Sequence, residues 1–231
     1  MKIVAYTTVT CSYCKTLVEL FERAGVEYEK KGIWFSEIFF IFAFCEYFQT
    51  ELLLESGRAR GQSTLCLSKL LPKTEILSIE YIKNGEDSLI AEKRLKNQNN
   101  VKLVYGDSFE VLKKIKFNTN FFMLIDGPKK KLSINLAKKI LLHEKCLGVF
   151  MHDCNKGSIE RSFENEHKGI SYFSDDEQFC EKFKYLDFNC YNEKRKPYLC
   201  SGLTQKSYGP TVGLFLKIGS ENKNLLGNLI I

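Results

Sequence analysis

The stretch Leu52–Thr64, LLLESGRARGQST, limits what this chain can build. Residues Glu51–Leu54 close an apolar run that reads as a buried strand. Glu55 follows, then the glycine loop Gly57-Arg58-Ala59-Arg60-Gly61. Ser63 and Thr64 come next, ahead of the apolar segment Leu65–Leu70. Strand, tight glycine turn and helix start is how an open α/β sheet makes a nucleotide site. Gly57 permits a positive φ where the strand ends. Gly61 lets the backbone pass close to a ligand or a neighbouring strand. The helix N-terminus offers N–H groups that have no intrahelical partner. A second apolar run, Ile76–Ile79, ends on Glu80, and a carboxylate about 20 residues past such a loop is placed to hold a ribose diol.

The same rhythm of strand, acid and helix continues. Pro72 marks the turn into the second strand, Glu75–Ile79. Ser88–Gln98 has helix-forming composition. Val101–Tyr105 is a third strand running into Gly106-Asp107-Ser108, and Phe109–Ile115 a short helix. Phe121–Ile125 is apolar throughout, as a strand covered on both faces is, and it ends in Asp126-Gly127-Pro128-Lys129. A helix over Leu132–Leu142 leads to the strand Cys146–Met151 and to His152-Asp153-Cys154-Asn155. Lys156–Asp176 is polar and reads as an irregular lid or substrate loop. A helix over Asp175–Tyr185 and strands at Phe188–Tyr191 and Thr211–Ile218 complete the pattern. The carboxyl edge of an open sheet is where α/β folds place their sites, and Glu55, Glu80, Asp107, Asp126 and Asp153 are expected to converge there.

The run E-x-G-x-A-x-G with a following strand that ends in Glu80 resembles the first two cofactor motifs of the class I S-adenosylmethionine-dependent methyltransferases. The resemblance implies an α/β, Rossmann-like, mostly parallel seven-stranded sheet with helices on both faces and an antiparallel terminal strand. It also implies S-adenosylmethionine held by Glu55, Gly57, Ala59, Gly61, Ser63, Glu80, Asp107, Ser108 and Asp126. Ala59 stands where the family usually has its middle glycine. The G-D-S turn at Gly106–Ser108 is similar to the element that holds the adenine amino group.

Asp126-Gly127-Pro128-Lys129 and Asp153-Cys154 resemble the metal-dependent catechol-type O-methyltransferases. That resemblance implies Mg²⁺ on Asp126 and Asp153, with Lys129 as base. The amide that would complete the ligand set is Cys154 here, with Asn155 one residue late, and a hard cation prefers oxygen. His152 is a second candidate base, because imidazole titrates near neutral pH. The D-G step is also similar to sugar and macrolide O-methyltransferases. The expected acceptor is therefore a hydroxyl of a small molecule or sugar.

Residues 1–30 resemble the first strand and helix of glutaredoxins, with Cys11 and Cys14 at the helix start, where the dipole lowers a thiol pKa. The match stops there, and none of the four prolines sits in the Val-Pro step that fold requires. The expected organisation is a glutaredoxin-like fragment over 1–31, a methyltransferase-like domain over 32–219 and a loose tail over 220–231. Trp34–Phe48 is expected to be a buried aromatic helix walling the acceptor pocket.

The other cysteines, nine in all with the pair, are isolated and lie mostly in apolar surroundings, which points to a reducing, cytoplasmic setting. Ile38–Cys45 is too short to span a bilayer. The net charge of +6 comes from scattered Lys and Arg, so neither a membrane nor a nucleic-acid partner is expected. Two other readings stay open: a nicotinamide-dependent oxidoreductase on a related sheet, and a binding protein with a thiol-redox segment.

Overall fold

A computed structural model describes residues 33–183, 186, 198–199, 206–207, 211–217 and 219. The glutaredoxin-like stretch, the tail and the strand expected at Phe188–Tyr191 lie outside the described residues.

Five parallel strands form the centre. They are β1 (Leu52–Ser56), β2 (Glu75–Glu80), β3 (Val101–Tyr105), β4 (Phe121–Ile125) and β5 (Cys146–Met151). After β5 come β6 (Ser171–Phe173), a separate two-stranded pair β7 (Tyr198–Leu199) and β8 (Lys206–Ser207), and β9 (Gly213–Leu216). The main sheet has seven strands in the order β3-β2-β1-β4-β5-β9-β6, with β9 antiparallel to both its neighbours. Its outermost strand, β6, lies inside the segment expected to be irregular. Tyr172 and Phe173 of β6 are buried, so three residues at a sheet margin suffice to anchor an otherwise polar loop.

Helices cover both faces, which is why β4 is apolar at every position. On one face lies α1 (Phe35–Tyr47), followed by α2 (Gln62–Leu70) and α3 (Glu86–Leu95); on the other are α4 (Ser108–Lys113) and α5 (Lys131–Leu141). The first face also carries α6 (Glu177–Phe183). Leu53, Phe122, Leu124 and Phe150 point to α1 and α6, whereas Leu54, Met123, Ile125 and Val149 point to α4 and α5. The helix expected from the aromatic run is α1. Phe40 meets Phe179 edge-on with centroids 5.3 Å apart, and Phe44 meets Tyr172 at 5.4 Å. Pairs in this range add about 0.5–1.5 kcal/mol beyond area burial. Among the described residues no helix is long and apolar enough to cross a membrane.

Candidate active site

Because β1 to β5 run parallel, the loops that follow them open on one edge of the sheet. The glycine loop leaves β1 there. Gly57 has φ 88°, and a Cβ on it would sit 2.4 Å from the Gly127 nitrogen. Only glycine lets the β1 and β4 ends approach so closely. Gly61 has φ 73° and starts α2 without a side-chain cap, leaving the helix N-terminus to face whatever lies over the loop. Between them Ala59 takes a positive φ of 46°.

Glu80 lies at the tip of β2. Its Oε2 accepts from the Ala59 N–H at 2.8 Å and its Oε1 from the Tyr81 N–H at 2.8 Å. The acid thus fixes the loop's shape. Beyond it Tyr81 and Ile82 are exposed. Asp107 caps α4, accepting from the Glu110 N–H at 3.2 Å. Ser108 shares a 2.6 Å hydrogen bond with Ser56, whose hydroxyl donates to the Gly127 carbonyl. The turn after β3 is tied in this way to both β1 and β4.

Glu55 does not join the acids at the edge. It is fully buried beneath α2, and its carboxylate accepts from Ser63 at 2.5 Å, from Ser78 at 2.5 Å and from Thr64. Burial pushes its carboxyl above the usual range, against the pull of these hydroxyls and of Arg58. Ser63 is turned inward by the same bond. The physical reason is local: a buried carboxylate takes every hydroxyl within reach.

On the other half of the edge the charges meet. Asp126 follows β4 and takes the Lys129 ammonium at 2.5 Å. Asp153 follows β5 with a left-handed φ of 61° and takes the same ammonium at 2.7 Å. His152 Nδ1 stands 2.9 Å from Asp126 Oδ1 and 3.2 Å from Asp153 Oδ1. Its Nε2 lies 3.6 Å from Glu37 Oε2. Burial lowers the His152 pKa, but Glu37, Asp126 and Asp153 outweigh it and hold the ring well above its ordinary value. Burial works the same way on Lys129, and the two aspartates raise it. Asp126 is lowered despite its burial, by His152 and then Lys129. His152, chiefly, also holds Asp153 well below the carboxylate range. The carboxylates around Lys129 and His152 thus favour the charged form of each.

Glu37 is the site residue that sequence reasoning missed. It is buried on α1, where its Oε2 also accepts from the Trp34 N–H at 2.8 Å. A lone acid within FSEIFFIFAF was the available signal, since a buried carboxylate needs a partner.

Asp126, His152 and Asp153 present ligand atoms within 4.8 Å of one another, yet the set does not fit Mg²⁺ as it stands. Both carboxylates are already paired with cations. The Cys154 side chain is buried in the apolar cluster under β9 rather than turned to the acids, and its burial holds the thiol protonated. Asn155 Oδ1 is buried with no hydrogen-bond partner. For S-adenosylmethionine the fit is better. A glycine-bent loop, an uncapped helix start, a carboxylate at the β2 tip and a capped turn after β3 line one edge.

No family model matches the sequence. A segment of 66 residues is 30% identical to a tRNA (guanine-N(7)-)-methyltransferase of Nitrosococcus oceani, covering 29% of this chain and 28% of that protein's length. Similar solved structures span far more. An O-methyltransferase from Bacillus cereus solved with S-adenosylhomocysteine matches with a TM-score of 0.52 at 16% identity, covering 93% of this chain and 94% of that one. A precorrin-6Y C5,15-methyltransferase from Geobacter metallireducens gives 0.52 at 15%, covering 81% and 93%. The O-methyltransferase TomG from Streptomyces achromogenes gives 0.50 at 13%, covering 93% and 92%. The strand order, the single antiparallel insertion and these matches agree: the chain has the fold of the class I methyltransferases.

Proposed function

We propose that the chain transfers a methyl group from S-adenosylmethionine to a hydroxyl of a small-molecule acceptor. The observation that carries this reading is the division of the sheet edge. Glu80, Asp107 and the Gly57–Gly61 loop form one half, and the charged group Glu37, Asp126, Lys129, His152 and Asp153 the other. In this reading the loop backbone and the start of α2 hold the methionine part of the cofactor, Glu80 the ribose, and Asp107 with Ser108 the adenine. The cofactor supplies an activated methyl on a sulfonium, so the protein's task is alignment and control of the acceptor proton.

Lys129 and His152 act as donors to the acceptor oxygen. Fixed cations beside it favour its anionic form, so the hydroxyl proton leaves to solvent and the methyl passes to the alkoxide or phenolate oxygen, with neutral S-adenosylhomocysteine as leaving group. A phenolic or enolic hydroxyl, which ionises readily, suits this pair better than an alkyl alcohol. Metal assistance is not part of the reading.

Isothermal calorimetry with S-adenosylhomocysteine tests it. Binding that weakens at least tenfold in Glu80→Ala supports the cofactor placement, and no binding to the wild type overturns it. Titration with NADH checks the oxidoreductase alternative. Transfer of labelled methyl is then screened over phenols, sugars and tRNA. The last is included because tRNA guanine is the acceptor named for the Nitrosococcus protein. Labelling of tRNA alone overturns the small-molecule acceptor while leaving the chemistry in place.

A further inference from the structure

The glycine loop carries two arginines that leave it in opposite directions. Arg60 turns outward to Asp87 at 2.7 Å, with both side chains about half exposed. Arg58 turns inward and is only 2% exposed. A guanidinium taken out of water needs compensation from its surroundings. We propose that Arg58 is a positioning residue that locks the turn after β1 to the turn after β3, and so keeps the cofactor site in its binding shape.

Its side chain spans three strands. Nη1 donates to the Ser78 carbonyl at 2.7 Å, and Ser78 lies on β2 two residues before Glu80. Cζ stands 4.8 Å from the centroid of the Tyr105 ring, at the end of β3 and two residues before Asp107. The opposite charge comes from Glu55 on β1, whose carboxyl feels the guanidinium. In the proposed function these turns hold the methionine part, the ribose and the adenine, and one buried cation touches the strand ends behind all three.

Nε and Nη2 of Arg58 are buried and reach no hydrogen-bond acceptor among the described residues. One carbonyl, one aromatic face and one opposite charge therefore fix the group, and its position depends on each. Tyr105 is itself steadied from α3, its hydroxyl donating to Glu92 at 2.7 Å. A planar cation stacked on a ring passes position from one element to the next, which a flexible aliphatic chain does not. Backbone bonds also join the strand tips, Gly57 N–H to Ile79 at 3.0 Å and Gly106 N–H to Glu80 at 2.9 Å. Substituting the Arg58 or Tyr105 side chain leaves those groups in place.

Hydrogen–deuterium exchange on the full chain without cofactor reads the coupling, and calorimetry with S-adenosylhomocysteine reads its consequence. The wild type, Arg58→Met, Tyr105→Leu and Tyr105→Phe are compared. Tyr105→Leu alters β3, yet it should speed exchange in the Gly57–Gly61 loop by about tenfold, as coupled neighbours do. Arg58→Met should speed that loop and Gly106–Ser108 together. Tyr105→Phe keeps the ring, loses only the bond to Glu92, and should exchange like the wild type. Affinity for S-adenosylhomocysteine should fall about tenfold in Arg58→Met and Tyr105→Leu, with the number of sites unchanged. A merely structural role would instead lower the number of sites through unfolded protein and leave the affinity of the folded fraction as it was.

Loop exchange in Tyr105→Leu equal to that of the wild type overturns the proposal. So does a Tyr105→Phe as fast as Tyr105→Leu, because Glu92 rather than Arg58 would then be the link. Where Arg58→Met does not fold, Arg58→Gln is held to the same criteria. The affinity arm rests on the proposed cofactor. A wild type that binds no S-adenosylhomocysteine but shows the exchange coupling fails the proposed function and leaves the lock in place. Wild-type affinity retained in Arg58→Met fails the lock alone.

Discussion

Glu55 lies within β1 and Asp126 just past the end of the neighbouring β4, and the two carboxylates live in opposite surroundings. Glu55 is ringed by the hydroxyls of Ser63, Thr64 and Ser78, and burial raises its pKa. Asp126 is also shielded, yet His152 and Lys129 bring its pKa down. The β1–β2 half of the edge uses neutral hydrogen bonds to hold a shape. The β4–β5 half gathers full charges and leaves them partly open to solvent. Damage to the first half should therefore cost folding, and damage to the second should cost turnover.

The sharpest break is expected at Gly57, where both halves touch. In Gly57→Ala the new Cβ meets Gly127 backbone at 2.4 Å with φ at 88°. Overpacking and a left-handed alanine together cost about 2–5 kcal/mol. Urea denaturation reads this directly, and a loss under 1 kcal/mol would show that the loop yields. Glu55→Ala should follow at about 2–4 kcal/mol, since it strands buried hydroxyls that now donate to the acid. Asp126→Asn, by contrast, should cost under about 1 kcal/mol of stability because its ion pairs are partly exposed. An Asp126→Asn more damaging to folding than Glu55→Ala would reverse the comparison.

Next in size are effects on turnover. His152→Gln should lower kcat by about 100-fold, the range for losing one donor that stabilises negative charge at the reacting oxygen. Glu37→Gln should lower it by about tenfold, with S-adenosylhomocysteine affinity unchanged in calorimetry. If both variants instead weaken cofactor binding alone, the charged half is a cofactor wall rather than an acceptor site.

The signs of the pH response separate the halves as well. Asp126 and Asp153 have depressed pKa values. Their stabilisation is present above about pH 4 and is lost as pH falls through their folded values. His152 is raised, so its contribution is full below its unfolded value of 6.5 and fades as pH rises through the folded one. Asp126→Asn should flatten the acid limb of the stability curve and His152→Gln the alkaline limb. Unaltered limbs in thermal melts from pH 3 to 10 would mean that these pairs contribute nothing to folding.

How much of this was readable beforehand depends on which force placed each residue. Glu80, Asp107, Asp126 and Asp153 follow apolar strands, and hydrophobic pattern alone puts strand ends at an edge. Glu55 misled because β1 is buried on both faces, so alternation does not say which way a side chain turns. The hydroxyls at Ser63, Thr64 and Ser78 were the clue, since they surround it only once β1, α2 and β2 are assembled. Glu37 and His152 are 115 positions apart in sequence, and nothing local joins them. The strand β6 was hidden for another reason. Three residues cannot establish a period, and its apolar pair Tyr172 and Phe173 reads as an ordinary loop until β9 lies beside it.

The smallest expected effect returns to the shape-holding half. Ala59 sits at φ 46° where the resembling family places glycine. A left-handed alanine costs about 1–2 kcal/mol. Glycine in its place gives back about 0.4–1 kcal/mol through the greater freedom of its unfolded chain. The balance predicts that Ala59→Gly stabilises the protein by about 0.5 kcal/mol, near the limit of denaturant titration. The Ala59 N–H bond to Glu80 survives the change, so cofactor affinity should hold. A clear destabilisation would mean that the alanine methyl packs against something that glycine abandons, and the loop would then owe its shape to side chains as well as to backbone.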